Sequence, residues 1–310
     1  MTAVWVDSDH DDDTRRAGLY SGDLYLANAS PAGEALCAFA RELAEEAFDG
    51  LDPRLAQHEM AVEAYAAVLA ELKPRFIHHQ RSKELLRDLL AEQGCDLDQV
   101  HVDVPRLRSS TSDGYLTTGI AYAWHPHRDT WYSAPMTQLN WWLPVYPVRP
   151  DNAMAFHLEH FDRVVENDSE IYNYYVWNST FRAAAASQVG KETRPLPRPR
   201  GEIDLSTAVV PLPPVGGYTL FSGQQLHSSV PNTSGVTRFS IDFRTVHIGD
   251  VAAGRSAPNV DAACTGSSIR DFVRARDFAP MPQQVVSLFD DGTESQGELR
   301  YESPEAQQRR

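Results

Sequence analysis

Two hydrophobic periods divide the chain. Between Ser30-Pro31 and Gly94 apolar residues recur at helical spacing. Leu36, Phe39, Ala40, Leu43 and Phe48 form one stripe; Met60, Ala64, Ala67, Leu69 and Leu72 form a second that stops before Pro74; Leu85, Leu86, Leu89 and Leu90 form a third that ends at Gly94. Such stripes are packing surface for another layer. From about Gln99 the period shortens towards two. Residues 100–104, 115–124, 137–143, 218–221 and 238–244 alternate, with Pro, Gly, Asn and Ser between them. Helices first and short strands afterwards predict a mainly β fold with supporting N-terminal helices on one side. A double-stranded β-helix, the jelly-roll or cupin-like barrel, fits that order.

The pattern fades at both ends. Residues 1–17 carry Asp7, Asp9, Asp11, Asp12 and Asp13 with few apolar anchors, and residues 291–310 are equally polar, so both are expected to be flexible tails. Without an internal repeat or a Gly/Ser linker between them, residues 18–290 are expected to form one domain with its β-helix core at about 100–248.

Composition narrows the function classes. With 310 residues, 42% hydrophobic and 23% charged, the chain can bury a sizeable core. Its formal charge of −15 repels phosphate backbones and anionic lipid, which leaves a small molecule as the expected partner and argues against nucleic acid and membrane. No apolar run approaches bilayer length, and the acidic start lacks the basic region of an export signal, so a cytoplasmic location is expected. Cys37, Cys95 and Cys264 are odd in number and widely spaced, which suits reduced thiols better than a disulfide framework or zinc ribbon.

The candidate chemistry lies in two separated segments. On a straight strand His125, His127 and Asp129 would share a face, and any two of them could chelate a metal together with His227. Two imidazoles and a carboxylate hold one face of a six-coordinate metal and leave the opposite positions open, as in non-haem Fe(II) oxygenases. A lone His-x-Asp is more often a hydrogen-bonded pair; the downstream sequence shifts that reading. Gly216-Gly217 reads as a turn into a strand, His227 follows, and Arg238 comes eleven residues later (238 − 227). Arg238, Ser240, Asp242 and Arg244 share one strand parity, while Phe239, Ile241 and Phe243 share the other. Arginine beside a metal-ligand candidate can grip a carboxylate through two parallel hydrogen bonds.

From His127-Arg128-Asp129 through the Gln138–Pro144 and Asp151–His157 stretches to Leu220-Phe221, His227, Asn232 and Arg238, the chain resembles the Fe(II)/2-oxoglutarate-dependent dioxygenases, and within them the phytanoyl-CoA hydroxylase-like branch. The resemblance covers roughly residues 100 to 248. It implies that His127, Asp129 and His227 bind Fe(II), and that Arg238, helped by Ser240, pairs with the distal carboxylate of 2-oxoglutarate. Gln138 and Asn140 are implied to line the same cavity. It further implies oxidation, by default hydroxylation, of a small metabolite by O2 with release of succinate and CO2. Asp129 stands where halogenating relatives have a small residue, which disfavours halogenation. Leu158-Glu159-His160 departs from the Pro-Gly-Ser-His turn of such relatives, so His160 is expected to make a structural hydrogen bond.

Substrate contacts are expected from Trp142, Arg128, Tyr132, Arg108 and Trp177, with the Pro- and Arg-rich stretch 191–200 as a lid. Two other functions compete. A cupin-type metalloenzyme without 2-oxoglutarate, such as an isomerase, would have no use for Arg238 and Ser240. A non-catalytic ligand-binding jelly roll would need no intact ligand set at two distant positions.

Overall fold

Two sheets of unequal size hold the cavity between them, and helices cover the back of the larger one. The computed structural model describes residues 2–292. Its strands are β1 (Val4–Val6), β2 (Leu24–Ala27), β3 (Val100–Val102), β4 (Arg106–Ser110), β5 (Leu139–Pro144), β6 (Met154–Phe156), β7 (Tyr218–Ser222), β8 (His227–Ser229), β9 (Arg238–His247) and β10 (Val273–Arg274). The major sheet runs β1-β2-β7-β5-β9-β3-β10, with β4 also paired to β9. The minor sheet is β6-β8, extended by bridges from His127 to His227 and from Phe156 to Val209.

Strand β9 organises the major sheet. One edge pairs with β5 and the other with β4 and then β3. Between β4 and β3 the ladder is interrupted at Asp103–Pro105, since proline has no N–H to donate. There the Asp103 carboxylate accepts the backbone N–H of Arg244 at 2.7 Å. Because alternate side chains face opposite ways, Phe239, Ile241 and Phe243 join the core with Leu107, Trp141 and Leu143, and the polar parity of β9 faces the cavity.

Helices α1 (Asp12–Tyr20), α2 (Pro31–Ala47), α3 (Val62–His78) and α4 (Gln80–Glu92) supply the other side of that core. Ser30 caps α2 by accepting the N–H of Gly33, and Pro31 suits the first helical position. A side chain at Gly33 would place its Cβ 2.0 Å from the Gly216 carbonyl oxygen. Only glycine there lets the turn into β7 rest on the start of α2. No helix among the described residues is long and apolar enough to cross a membrane.

Several expectations are corrected. Residues 2–17 are not a tail: β1 pairs in parallel with β2, and Asp11 caps α1 by accepting the N–H of Thr14. Of the aspartates that read as solvating charge, Asp11, Asp12 and Asp13 start α1, and Asp12 and Asp13 are also ion-pair partners. Arg16 bonds Asp250 at 2.7 Å with both side chains buried, while Arg15 bonds Asp12 at 2.8 Å. Residues 115–124 form no strand; Gly114 and Gly119 have positive φ and a 3-10 turn occupies Gly119–Ala121. Helix α3 continues past Pro74 to His78, and β4 appears where alternation was masked by Arg106 and Arg108. Of the expected tail 291–310, residues 293–310 lie outside the described residues.

The buried Arg16–Asp250 pair gives a stability prediction. Arg16→Ala removes one of the two guanidinium partners of the Asp250 carboxylate, which keeps Arg255, whose Nε donates to its Oδ1 at 2.8 Å, and the Tyr20 hydroxyl. A loss of about 2 kcal/mol, that of one charge-assisted hydrogen bond, is expected from a denaturant titration; a truly flexible N-terminus would show less than about 0.5 kcal/mol.

Candidate metal centre and cavity

His127 and His227 face each other across adjacent strands of the minor sheet. Their backbones exchange two hydrogen bonds, His127 N–H to His227 O at 2.9 Å and His227 N–H to His127 O at 3.0 Å, and their ring centroids lie 4.3 Å apart. Each Nδ1 sits against a carbonyl two residues back, 2.8 Å from His125 O and 2.9 Å from Gln225 O respectively. A carbonyl only accepts, so both imidazoles are Nδ1–H tautomers with the Nε2 lone pair free to ligate.

Asp129 completes the group. It begins a 3-10 turn (Asp129–Tyr132), which bends it out of the straight-strand path and brings its Oδ1 to 3.6 Å from His127 Nε2 and 3.9 Å from His227 Nε2. The three ligand atoms lie within 4.8 Å of one another, so this group can hold a metal ion. Burial alone would raise the Asp129 pKa, but the neighbouring His127 and the Arg244 charge hold it well below the usual carboxylate range. Its Oδ2 accepts from Gln138 Nε2 at 3.0 Å and lies 3.5 Å from Arg244 Nε. Burial, and next the neighbouring His127, push the His227 pKa down to about 3, so its imidazole is neutral and ready to bind metal.

His125 is not part of the group. Its Nε2 lies 2.9 Å from Pro197 O and its Nδ1 3.0 Å from the Tyr122 hydroxyl. Trp124 instead stacks on the His127 ring, with centroids 4.8 Å apart. It falls in the segment read as a strand, and nothing in its spacing marks it. His160 makes a structural contact, its Nε2 3.0 Å from Asp204 O.

The group opens into a cavity of about 510 Å³, the size of pockets that hold drug-sized ligands. Its walls include Gln138, Asn140 and Trp142 from the β5 region and Arg238, Ser240 and Asp242 from β9. Arg238 is buried; its Nη1 donates to Asn152 O and Ala153 O, both at 3.0 Å, and its guanidinium lies 5.6 Å from the Trp142 ring. No carboxylate among the described residues lies within ion-pair distance of it. Its Nε and the Ser240 Oγ are buried without a hydrogen-bond partner. Arg244, by contrast, reaches Asp242 at 3.1 Å and Asp103 and Asp129 at 3.5 Å.

Tyr132, Arg108 and Trp177 also line the cavity, but Arg108 is held by Asp242 at 2.6 Å. Arg128 does not line it. Its guanidinium is fully buried and bonded to Asp261 and to the carbonyls of Gln224, His160 and Arg163, which corrects its expected role in substrate contact. The stretch 191–200 lies along the cavity, with Arg194 over the Trp177 ring at 5.1 Å. Lys73 on α3 also reaches the wall, although a lysine beside an apolar stripe carries no signal that separates it from surface lysines.

No protein-family model matches the chain, and no curated protein matches it either. Solved structures are similar at low identity. The epimerase SnoN in complex with Fe3+, alpha ketoglutarate and nogalamycin RO is 13% identical, with 94% of this chain and 96% of that chain covered and a TM-score of 0.41. The non-heme monooxygenase ThoJ in its apo form is 18% identical, covering 86% and 82%, with a TM-score of 0.38. EvdO2 from Micromonospora carbonacea var. aurantiaca, complexed with 2-oxoglutarate, is 12% identical over 56% and 62%, with a TM-score of 0.34. At such identities function is read from the side chains of the site itself.

Two outcomes follow from this geometry. Asp129→Ala and His227→Ala should each abolish binding of a divalent metal in a competition titration while leaving a cooperative unfolding transition, whereas His125→Ala should retain the metal. Strong metal binding by His227→Ala would exclude the assignment. Burial also lowers the pKa of His125 and His157 to about 4, alongside about 3 for His227, from 6.5. Between about 4 and 6.5 the unfolded chain therefore binds more protons than the folded one, so metal-free stability should fall as pH drops through that window. A denaturation midpoint that stays flat from pH 7 to pH 5 would contradict this.

Proposed function

We propose that the protein is a non-haem Fe(II)- and 2-oxoglutarate-dependent oxygenase of double-stranded β-helix architecture, akin to the phytanoyl-CoA hydroxylase-like branch, acting on a small metabolite, with hydroxylation as its default outcome. The observation that carries this reading is Arg238: a buried guanidinium without a carboxylate, in the same cavity as a buried His-Asp-His group. A buried cation left unpaired is costly, and a carboxylate on a bound co-substrate offsets that cost.

The residues present suit both groups. His127, Asp129 and His227 would hold the metal on one face and leave its other positions free for co-substrate and O2. Arg238 and Ser240 offer unfilled donors at the wall, as a dicarboxylate's distal end requires. Bound Fe(II) with 2-oxoglutarate and O2 supplies oxidation of a C–H bond, coupled to release of succinate and CO2. Gln138 orients Asp129 by donating to its Oδ2, and Asn140 in turn accepts from Gln138 at 2.9 Å. Both then act on the metal face indirectly. Phe156 and Phe221 pack around the His227 ring. Trp142, Tyr132, Arg108 and Trp177 would shape the substrate's space. A cupin-type metalloenzyme without 2-oxoglutarate would leave the Arg238 charge and the Ser240 hydroxyl unanswered.

Anaerobic protein loaded with Fe(II) should develop a visible charge-transfer band when 2-oxoglutarate is added; absence of the band would exclude the reading. Arg238→Ala should weaken 2-oxoglutarate in that titration by about 30-fold or more, since removing one partner of a buried charged pair costs roughly 2 kcal/mol or more, at 1.4 kcal/mol per decade. Metal affinity should be nearly unchanged. A large loss in Arg244→Ala with little change in Arg238→Ala would move the carboxylate clamp along the strand.

A further inference from the structure

The cavity walls carry more positive than negative charge, and nearly all of it is accounted for. Seven cationic side chains and three carboxylates line the cavity. Arg106 bonds Asp103 at 2.5 Å, Arg108 bonds Asp242, and Arg244 reaches Asp242, Asp103 and Asp129. Arg194 bonds Glu192 at 2.7 Å, and Arg182 donates to the Tyr174 hydroxyl, itself bonded to Asp271. Two cations remain: Arg238, which the preceding reading assigns to the co-substrate, and Lys73.

Lys73 is 9% exposed, and its Nζ donates to the Ile120 carbonyl. An ammonium has three donors, and no carboxylate among the described residues lies within ion-pair distance of it. Ala70, Lys73, Pro74 and Ile77, spaced as one helical face of α3, all line the cavity, as does Ile120. Burial, and next the Arg108 charge, push the Lys73 pKa down to about 7, and the more distant Asp242 carboxylate only partly opposes them.

We propose that Lys73 is the substrate's anion anchor, and that the cavity takes an amphipathic organic acid whose carboxylate pairs with this ammonium while its hydrocarbon part lies along Ala70, Ile77 and Ile120. The proposal rests on the oxygenase reading only in giving Arg238 to the co-substrate. One ammonium among apolar neighbours matches a single negative charge; a phosphate dianion would call for several converging donors. The overall charge of −15 does not oppose it, because the relevant field is that of the cavity wall.

Octanoate, methyl octanoate and octyl phosphate serve as probes, titrated calorimetrically into the full chain loaded with Mn(II), with and without 2-oxoglutarate. Wild type should bind octanoate, and Lys73→Met should weaken it roughly 10-fold or more. Methyl octanoate should bind both proteins alike, and octyl phosphate should bind wild type no better than octanoate. Lys73→Met should melt no lower than wild type, since replacing an unpaired buried charge with an apolar chain of similar length is neutral or stabilising. Equal octanoate binding by the two proteins, no octanoate binding by wild type, tighter octyl phosphate, or a lowered melting temperature in Lys73→Met would each overturn the proposal. The lowered melting temperature would make Lys73 a tether for Ile120. Arg238→Ala should lose 2-oxoglutarate and keep octanoate, so failure of the co-substrate reading and failure of the anchor are read separately.

Discussion

Two backbone hydrogen bonds between His127 and His227 set the geometry on which the site depends. An antiparallel pair that exchanges both bonds puts its side chains on the same face with Cα atoms about 5.5 Å apart, a separation a metal ion can bridge. Each strand then repeats one device: the carbonyl two residues before the histidine takes its Nδ1–H and points Nε2 at the shared position. Asp129 arrives by leaving the strand. Arg128, between the two ligands of the first segment, fixes that departure by bonding Gln224 O in the second segment and Asp261 beyond it. One buried guanidinium thus ties together the two stretches that carry the ligands.

The cavity face of β9 shows how an acidic protein builds a cationic interior. In a low-dielectric cavity each charge is expensive unless paired, so Asp242 is shared by Arg108 and Arg244, and Asp103 by Arg106 and Arg244. The chain of pairs reaches Asp129 through Arg244, linking the His-Asp-His group to the β9 wall of the cavity. Arg238 and Lys73 stand outside it. Arg182 meets a carboxylate only through the Tyr174 hydroxyl, and the two cavity cations that reach none are where ligand charge is proposed to sit.

The stretch 191–200 is tied to the segment that carries His127 and Asp129. His125 Nε2 and the Tyr132 hydroxyl both approach the Pro197 carbonyl, at 2.9 and 3.0 Å, which holds the stretch 191–200 against residues on either side of His127 and Asp129. Helix α1 is drawn into the fold by the Arg16–Asp250 pair and its Asp11 cap, and β1 then extends the sheet edge.

Local chemistry made much of this legible from sequence. The apolar stripes of α2 and α4, the parity of β9 and the His-x-Asp…His…Arg order follow from periodicities and residue types that do not depend on distant parts of the chain. What the sequence left open were questions of partnership. His125, His127 and Asp129 share a parity, and only the turn at Asp129 and the carbonyls of His125 and Pro197 separate ligand from neighbour. Arg128, Arg238 and Arg244 are equivalent as residues. Their partners, scattered over more than a hundred positions, make the first a buried tie, the second an open cradle and the third a shared ion pair. Lys73 is the extreme case, an ordinary helix lysine until the loop at Ile120 closes over it. The N-terminal aspartates likewise read as solvated charge because their arginine and backbone partners become visible only once the chain has folded. Periodicity is a property of neighbours in sequence; charge compensation is a property of neighbours in space, and only the tertiary structure decides it.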